Sequence, residues 1–154
     1  MAELKEGDKA PSFTAKDQNG NPVSLSDYSG KDIILYFYPK DDTPGCTAEA
    51  CDFRDNYQSL QQKGFTVIGV STDDEKSHTK FISKYQLPFS LISDTEKEIV
   101  EAYGVWVEKN NYGKKYMGTA RKTFIIDGSG TIKKIIDKVD TKEASKQVID
   151  LLGV

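Results

Sequence analysis

The chain has 154 residues, enough to bury a real core, and a single domain spanning 1–154 is expected. Its 24 acidic residues against 21 basic give a net charge of −3 and a pI near 5.2, which argues against a nucleic-acid backbone as partner. No apolar run approaches the roughly 18 residues of a membrane span, no leader peptide is visible, and two cysteines are too few for a secreted disulfide scaffold, so a cytoplasmic protein is expected.

Residues 13–25, FTAKDQNGNPVSL, read as a β-hairpin turned at Asn19-Gly20. Residues 27–31 are expected to form a short helical turn. Residues 33–38, IILYFY, form a run of β-branched, aliphatic and aromatic side chains that can be buried on both faces, and Pro39 ends it. Thr43-Pro44-Gly45 reads as a helix start, with Thr43 as N-cap and Pro44 at the first helical position. Cys46 then falls in the first turn, where free backbone N–H groups and the positive end of the helix dipole favour an anion such as a thiolate. Cys46, Ala50, Phe53, Tyr57 and Leu60 step by four and three along one face, and Gly64 is the expected stop of a single helix.

Residues 65–71, FTVIGVS, read as a second core strand. Thr72-x-x-Glu75 is a capping-box pattern ahead of a helix carrying Phe81, Ile82 and Tyr85 on one face. A short strand is expected at 89–92, and Thr95-x-x-Glu98 opens a further helix through Tyr103. The polar stretch 108–114 reads as a surface loop. Residues 122–127 and 131–136 form a hairpin about Gly128-Ser129-Gly130, and Asp140-x-x-Glu143 caps a last helix with Ala144, Val148, Leu151 and Leu152 on its face. Strand, helix, strand, helix, strand, then hairpin and helix, imply an α/β three-layer sandwich with a central mixed sheet. That is a thioredoxin-like arrangement with an added amino-terminal hairpin.

Cys46 therefore sits where the first core strand meets its helix, the usual ligand site of an open α/β sheet. An intracellular cysteine is more often a small buried apolar residue, but the helix-start position, Thr43 and the second cysteine favour chemistry. Several neighbours have ordinary structural explanations. Thr43 alone would be only an N-cap, Arg121 a solvated strand-edge charge, Glu49 a favourable first-turn carboxylate, and Pro39 and Pro44 punctuation. His78 lies in the polar stretch DDEKSHTK and is expected to be exposed; Tyr103, Trp106 and Tyr112 read as core or loop aromatics. A zinc site fails on arithmetic, since structural sites take four ligands and the chain offers two cysteines and one histidine. No cofactor is expected.

Pro39-Lys-Asp-Asp-Thr43-Pro-Gly-Cys46 resembles the Pro-x-x-x-Thr-x-x-Cys signature of peroxiredoxins, and Arg121 in TARKTFIID matches the arginine that completes that family's site. The second cysteine, in Cys46-Thr-Ala-Glu-Ala-Cys51, is similar to the peroxiredoxin Q or bacterioferritin comigratory protein branch. The likeness runs from Ala10-Pro-Ser-Phe13 to the last helix. It implies a thiol peroxidase acting on hydrogen peroxide and organic hydroperoxides, with Cys46 peroxidatic, Cys51 resolving and thioredoxin or a similar dithiol as reductant. Thr43, the N–H groups of Gly45 and Cys46, and Arg121 would hold the peroxide and stabilise charge on the departing oxygen, while Pro39 shields the pocket. Glu49 could orient Arg121 or Thr43. Two other readings remain open. A thioredoxin-type disulfide oxidoreductase is disfavoured because four residues separate the cysteines, and a redox-sensing module would react without turning over. No interface segment is evident, so a monomer is expected.

Overall fold

The computed structural model describes residues 3–154. The chain opens with the hairpin of β1 (Thr14–Asp17) and β2 (Pro22–Ser24). Its turn is built by Asp17, whose Oδ1 accepts the Asn19 and Asn21 N–H groups at 2.9 and 3.0 Å, while Gly20 takes φ +78°. A 3-10 turn over Leu25–Tyr28 leads into β3 (Asp32–Phe37). There follow α1 (Pro44–Asp55), α2 (Tyr57–Gln62), β4 (Phe65–Ser71), α3 (Glu75–Tyr85), β5 (Ser90–Ser93) and α4 (Glu98–Ala102). The chain ends with β6 (Trp106–Asn111), β7 (Lys114–Thr119), β8 (Lys122–Ile126), β9 (Ile132–Ile136) and α5 (Ala144–Leu152).

Seven strands form one mixed sheet in the order β2-β1-β5-β4-β3-β8-β9. Strands β3, β4 and β5 run parallel; β1 lies antiparallel to β5, β8 to β3 and β9 to β8. The apolar run of β3 is explained by its two covered faces. Ile34, Tyr36 and Tyr38 join the layer with α1, α3 and α5, whereas Ile33, Leu35 and Phe37 join the layer with Ile99, Val100, Tyr103 and Phe124. This alternation is the period of two that a strand imposes. Gly69 of β4 makes room for one of these rings, since a Cβ there would lie 2.9 Å from Cζ of Tyr36. The result is the expected thioredoxin-like α/β sandwich with an amino-terminal hairpin.

Several local expectations are corrected. The stretch read as a loop over 108–114 is mostly strand: β6 and β7 pair as a two-stranded hairpin apart from the main sheet. It turns at Tyr112-Gly113, with φ of +53° and +84°, and Asn110 Oδ1 accepts the Gly113 N–H at 2.9 Å. Its polarity misled the reading because most of its residues are exposed. Tyr103 is core, whereas Tyr112 is fully exposed at that turn. The helix expected to run to Gly64 is divided at Asn56, whose side-chain amide donates to the Asp52 carbonyl at 2.8 Å and competes for a helix acceptor. The caps also shift. Asp74, not Thr72, caps α3 by accepting from the Ser77 N–H at 2.8 Å, and α4 starts after Lys97 in a left-handed conformation. Asp140 accepts the Lys142 and Glu143 N–H groups one turn ahead of α5.

Candidate active site

The antiparallel register of β8 against β3 does the main positioning. Phe37 pairs with Lys122, so Arg121, one residue before β8, lies beside the carboxyl end of β3. The same end delivers the chain, through residues 38–43, to the start of α1. Two segments 75 residues apart in sequence thus converge.

Cys46 is the third residue of α1, after Pro44 and Gly45. It is 1% exposed and belongs to the apolar layer of Tyr36, Tyr38, Ala50, Phe53 and Leu60. Arg121 donates through Nη2 to Cys46 Sγ at 3.2 Å and through Nη1 to Glu49 Oε1 at 2.8 Å. One guanidinium therefore bridges the sulfur and a carboxyl, using the fork geometry that only arginine has. Gly45 permits this approach, since a Cβ there would lie 3.1 Å from Nη2.

Glu49 is fully buried, and its Oε2 has no hydrogen-bond partner among the described residues. Burial pushes its carboxyl up to about 7, and the Arg121 charge and hydrogen bond only partly oppose this. For Arg121, burial works against the charged form, but Cys46 and Glu49 more than offset it, so the guanidinium is held charged.

Thr43 occupies the N-cap position with extended backbone, as expected, but its side chain does not cap the helix. Its hydroxyl donates instead to the Lys40 carbonyl at 2.9 Å. The N–H groups of Gly45 and Cys46 consequently face no capping side chain, and the threonine oxygen keeps its lone pairs for another donor. Pro39 is half-buried directly after Tyr38. Cys51 lies in the next stretch of α1, half-buried, and both cysteines are free thiols. Burial pushes the Cys51 thiol up, with Arg54 partly opposing, so Cys51 is held in the less nucleophilic protonated form.

His78 contradicts its expectation. It is fully buried, with Nδ1 2.7 Å from Asp41 Oδ2 and Nε2 3.0 Å from the Ile92 carbonyl oxygen. A signal existed, because His78 precedes Phe81, Ile82 and Tyr85 by three, four and seven residues and so shares their inward stripe. The polar neighbours hid it. Asp41, Asp73 and His78 form the one cluster of possible metal ligands among the described residues, and each makes hydrogen bonds within the protein.

Comparison with known proteins identifies the family and the fold. The model of the AhpC/TSA family matches residues 6–135. Peroxiredoxin Bcp of Bacillus subtilis is 49% identical over 149 residues, covering 97% of this chain and 95% of the relative. A cysteine-to-serine variant of peroxiredoxin Q from Xylella fastidiosa superposes with a TM-score of 0.92 at 30% identity, covering 99% of this chain and 98% of its own. The bacterioferritin comigratory protein of Xanthomonas campestris, described for its alkyl peroxide reduction activity, superposes with a TM-score of 0.85 at 33% identity, covering 92% of this chain and 89% of its own.

Proposed function

The chain belongs to the AhpC/TSA family, in its peroxiredoxin Q or Bcp branch, and from that premise we propose that this thiol peroxidase works through a sulfenic acid on Cys46 and a Cys46–Cys51 disulfide. The Cys46 thiolate attacks the terminal oxygen of hydrogen peroxide or an organic hydroperoxide. The S–O bond forms as the O–O bond breaks; sulfur is oxidised by two electrons, and water or an alcohol leaves after taking up a proton. The Cys51 thiol then attacks the sulfenic sulfur, expelling water and closing the disulfide. Thioredoxin or a similar dithiol returns both thiols by exchange.

The observation that carries this reading is the guanidinium of Arg121, 3.2 Å from Cys46 Sγ and braced by Glu49. A fixed cation there stabilises the charge that develops on the departing oxygen. The Gly45 and Cys46 N–H groups supply further donors to the oxygens. Thr43, its own proton committed to Lys40, accepts the O–H of the hydroperoxide and holds the O–O bond in line with sulfur. Pro39 covers the sulfur from bulk water.

The test is peroxide consumption, with hydrogen peroxide and an alkyl hydroperoxide in turn, under multiple turnover with thioredoxin, its reductase and NADPH. NADPH oxidation that continues through many equivalents is expected. Consumption that stops after one equivalent per chain would contradict the enzyme cycle and favour a redox sensor.

A further inference from the structure

We propose that His78 is a positioning residue for Cys46. Through Asp41 it clamps residues 40–43 against α3 and so holds the start of α1 in the conformation that meets peroxide. The inference rests on the peroxidase reading above and adds a group that never touches substrate.

The clamp starts from one shared proton. The Ile92 carbonyl can only accept, so Nε2 of His78 carries a hydrogen. At 2.7 Å on the other side, Nδ1 and Asp41 Oδ2 hold a single proton between them, whichever atom bears it. Asp41 is further bound by the Ser77 hydroxyl at 2.8 Å on Oδ2 and by the Tyr38 hydroxyl at 2.6 Å on Oδ1. Its own N–H donates to Asp73 Oδ2 at 2.9 Å, and Asp73 is held by the Ser71 hydroxyl at 2.7 Å. A carboxyl that is 4% exposed is thereby tied to the ends of β3 and β4 and to the first turns of α3.

The next residue shows why a clamp is needed. Asp42 takes φ +56°, in the left-handed region that residues other than glycine rarely adopt. Its carboxylate is gripped by Tyr85 and Lys84, again from α3, at 2.8 Å each. Thr43 then turns its hydroxyl back to Lys40. The loop before Cys46 therefore has a shape its backbone alone would not keep, and α3 supplies the anchors. Among them His78 alone is wholly buried and bonded at both ring nitrogens. Closing the Cys46–Cys51 bond requires the start of α1 to unwind, and that motion pulls on this loop. A loosened clamp should thus hinder peroxide attack and assist disulfide closure, moving two steps of one cycle in opposite directions.

The experiment compares parent, His78→Ala and Asp41→Asn. The asparagine amide can donate to Nδ1 of a neutral imidazole, so Asp41→Asn keeps the bridge without the shared proton. Single-turnover peroxide oxidation is followed by acid quench, alkylation and mass spectrometry, which separates sulfenic acid formation from disulfide closure. His78→Ala should slow oxidation about tenfold and speed closure several-fold, with Asp41→Asn near the parent in both. Unchanged rates, an equal slowing of both steps, or an Asp41→Asn as defective as His78→Ala would each overturn the clamp. His78→Gln, which retains one donor, takes the same place if His78→Ala does not fold. Hydrogen exchange over residues 40–48 of the reduced protein tests the clamp without peroxide. Faster exchange in the His78 variant supports it, and equal exchange overturns it even if the peroxidase reading itself has failed.

Discussion

Arg121 touches both the sulfur of Cys46 and the carboxyl of Glu49, and the proposed chemistry depends on that bridge between single residues. Thr43→Val and Arg121→Ala should each slow Cys46 oxidation by about a hundredfold to a thousandfold, the usual effect of removing one preorganised donor or orienting group. Thr43→Val also removes an exposed hydrogen bond to the Lys40 carbonyl, at a cost of about 1 kcal/mol at most. Stopped-flow oxidation beside a denaturation curve separates the two effects, and parental rates would return both residues to ordinary structural roles. Glu49 gives a pH signature. With its folded carboxyl pushed up to about 7 by burial, the folded chain keeps a proton there that the unfolded chain releases near 4.5. The resulting stabilisation is complete below 4.5 and is lost as pH rises through 7, on the order of 3 kcal/mol. Urea denaturation from pH 4 to 8 should show the parent losing stability against Glu49→Gln across that window. A difference that stays flat would contradict the assignment. The proline, threonine and cysteine were singled out by the spacing of a signature, and Arg121 only by the resemblance, since alone it reads as a solvated strand-edge charge; His78 was not, because its polar neighbours masked a stripe only four residues deep.

At the scale of elements, α1 must change shape for the proposed cycle to run. Five residues of ideal helix rise about 7.5 Å and turn about 140° on a radius near 2.3 Å, which puts the Cα atoms of Cys46 and Cys51 roughly 8.6 Å apart. A disulfide normally needs less than about 7 Å, so the first turns must unwind. Two anchors limit the change. Asp52 Oδ1 accepts the Ser145 N–H of α5 at 2.7 Å, and Arg54 donates to the Tyr85 carbonyl at 2.9 Å. Opening should therefore stop near residue 52. Amide exchange should be faster over residues 45–51 in the disulfide form than in the reduced form, with residues 53–55 little altered. Equal protection in both forms, with the bond confirmed by mass spectrometry, would contradict an unwinding helix. Elements with clear apolar runs were legible, β4 at both ends and the strands of the β8–β9 hairpin to within one residue. The β6–β7 hairpin was not, because a ribbon exposed on both faces carries no alternation of apolar and polar positions. The start of α3 shifted because Thr72 and Asp74 both have cap-forming side chains, and Asp74 is the one that accepts a first-turn N–H.

At the scale of the whole molecule, periodicity specified the layers but not the neighbours of each strand. Nothing in residues 122–126 alone says that β8 lies against β3 and not at an edge, yet that pairing alone brings Arg121 to Cys46. The site was legible through its resemblance to a known signature, and the sheet order supplies its physical cause. Among the described residues no helix is long and apolar enough to cross a membrane. In the proposed cycle this arrangement makes Cys46, and not Cys51, the residue peroxide oxidises. One equivalent of hydrogen peroxide, added with a sulfenic-acid trap to Cys51→Ser and Cys46→Ser, tests it by peptide mass spectrometry. A rapid adduct is expected on Cys46 in Cys51→Ser and none at a comparable rate in Cys46→Ser; an adduct on Cys51 forming at the parental rate in Cys46→Ser would reverse the roles of the two cysteines.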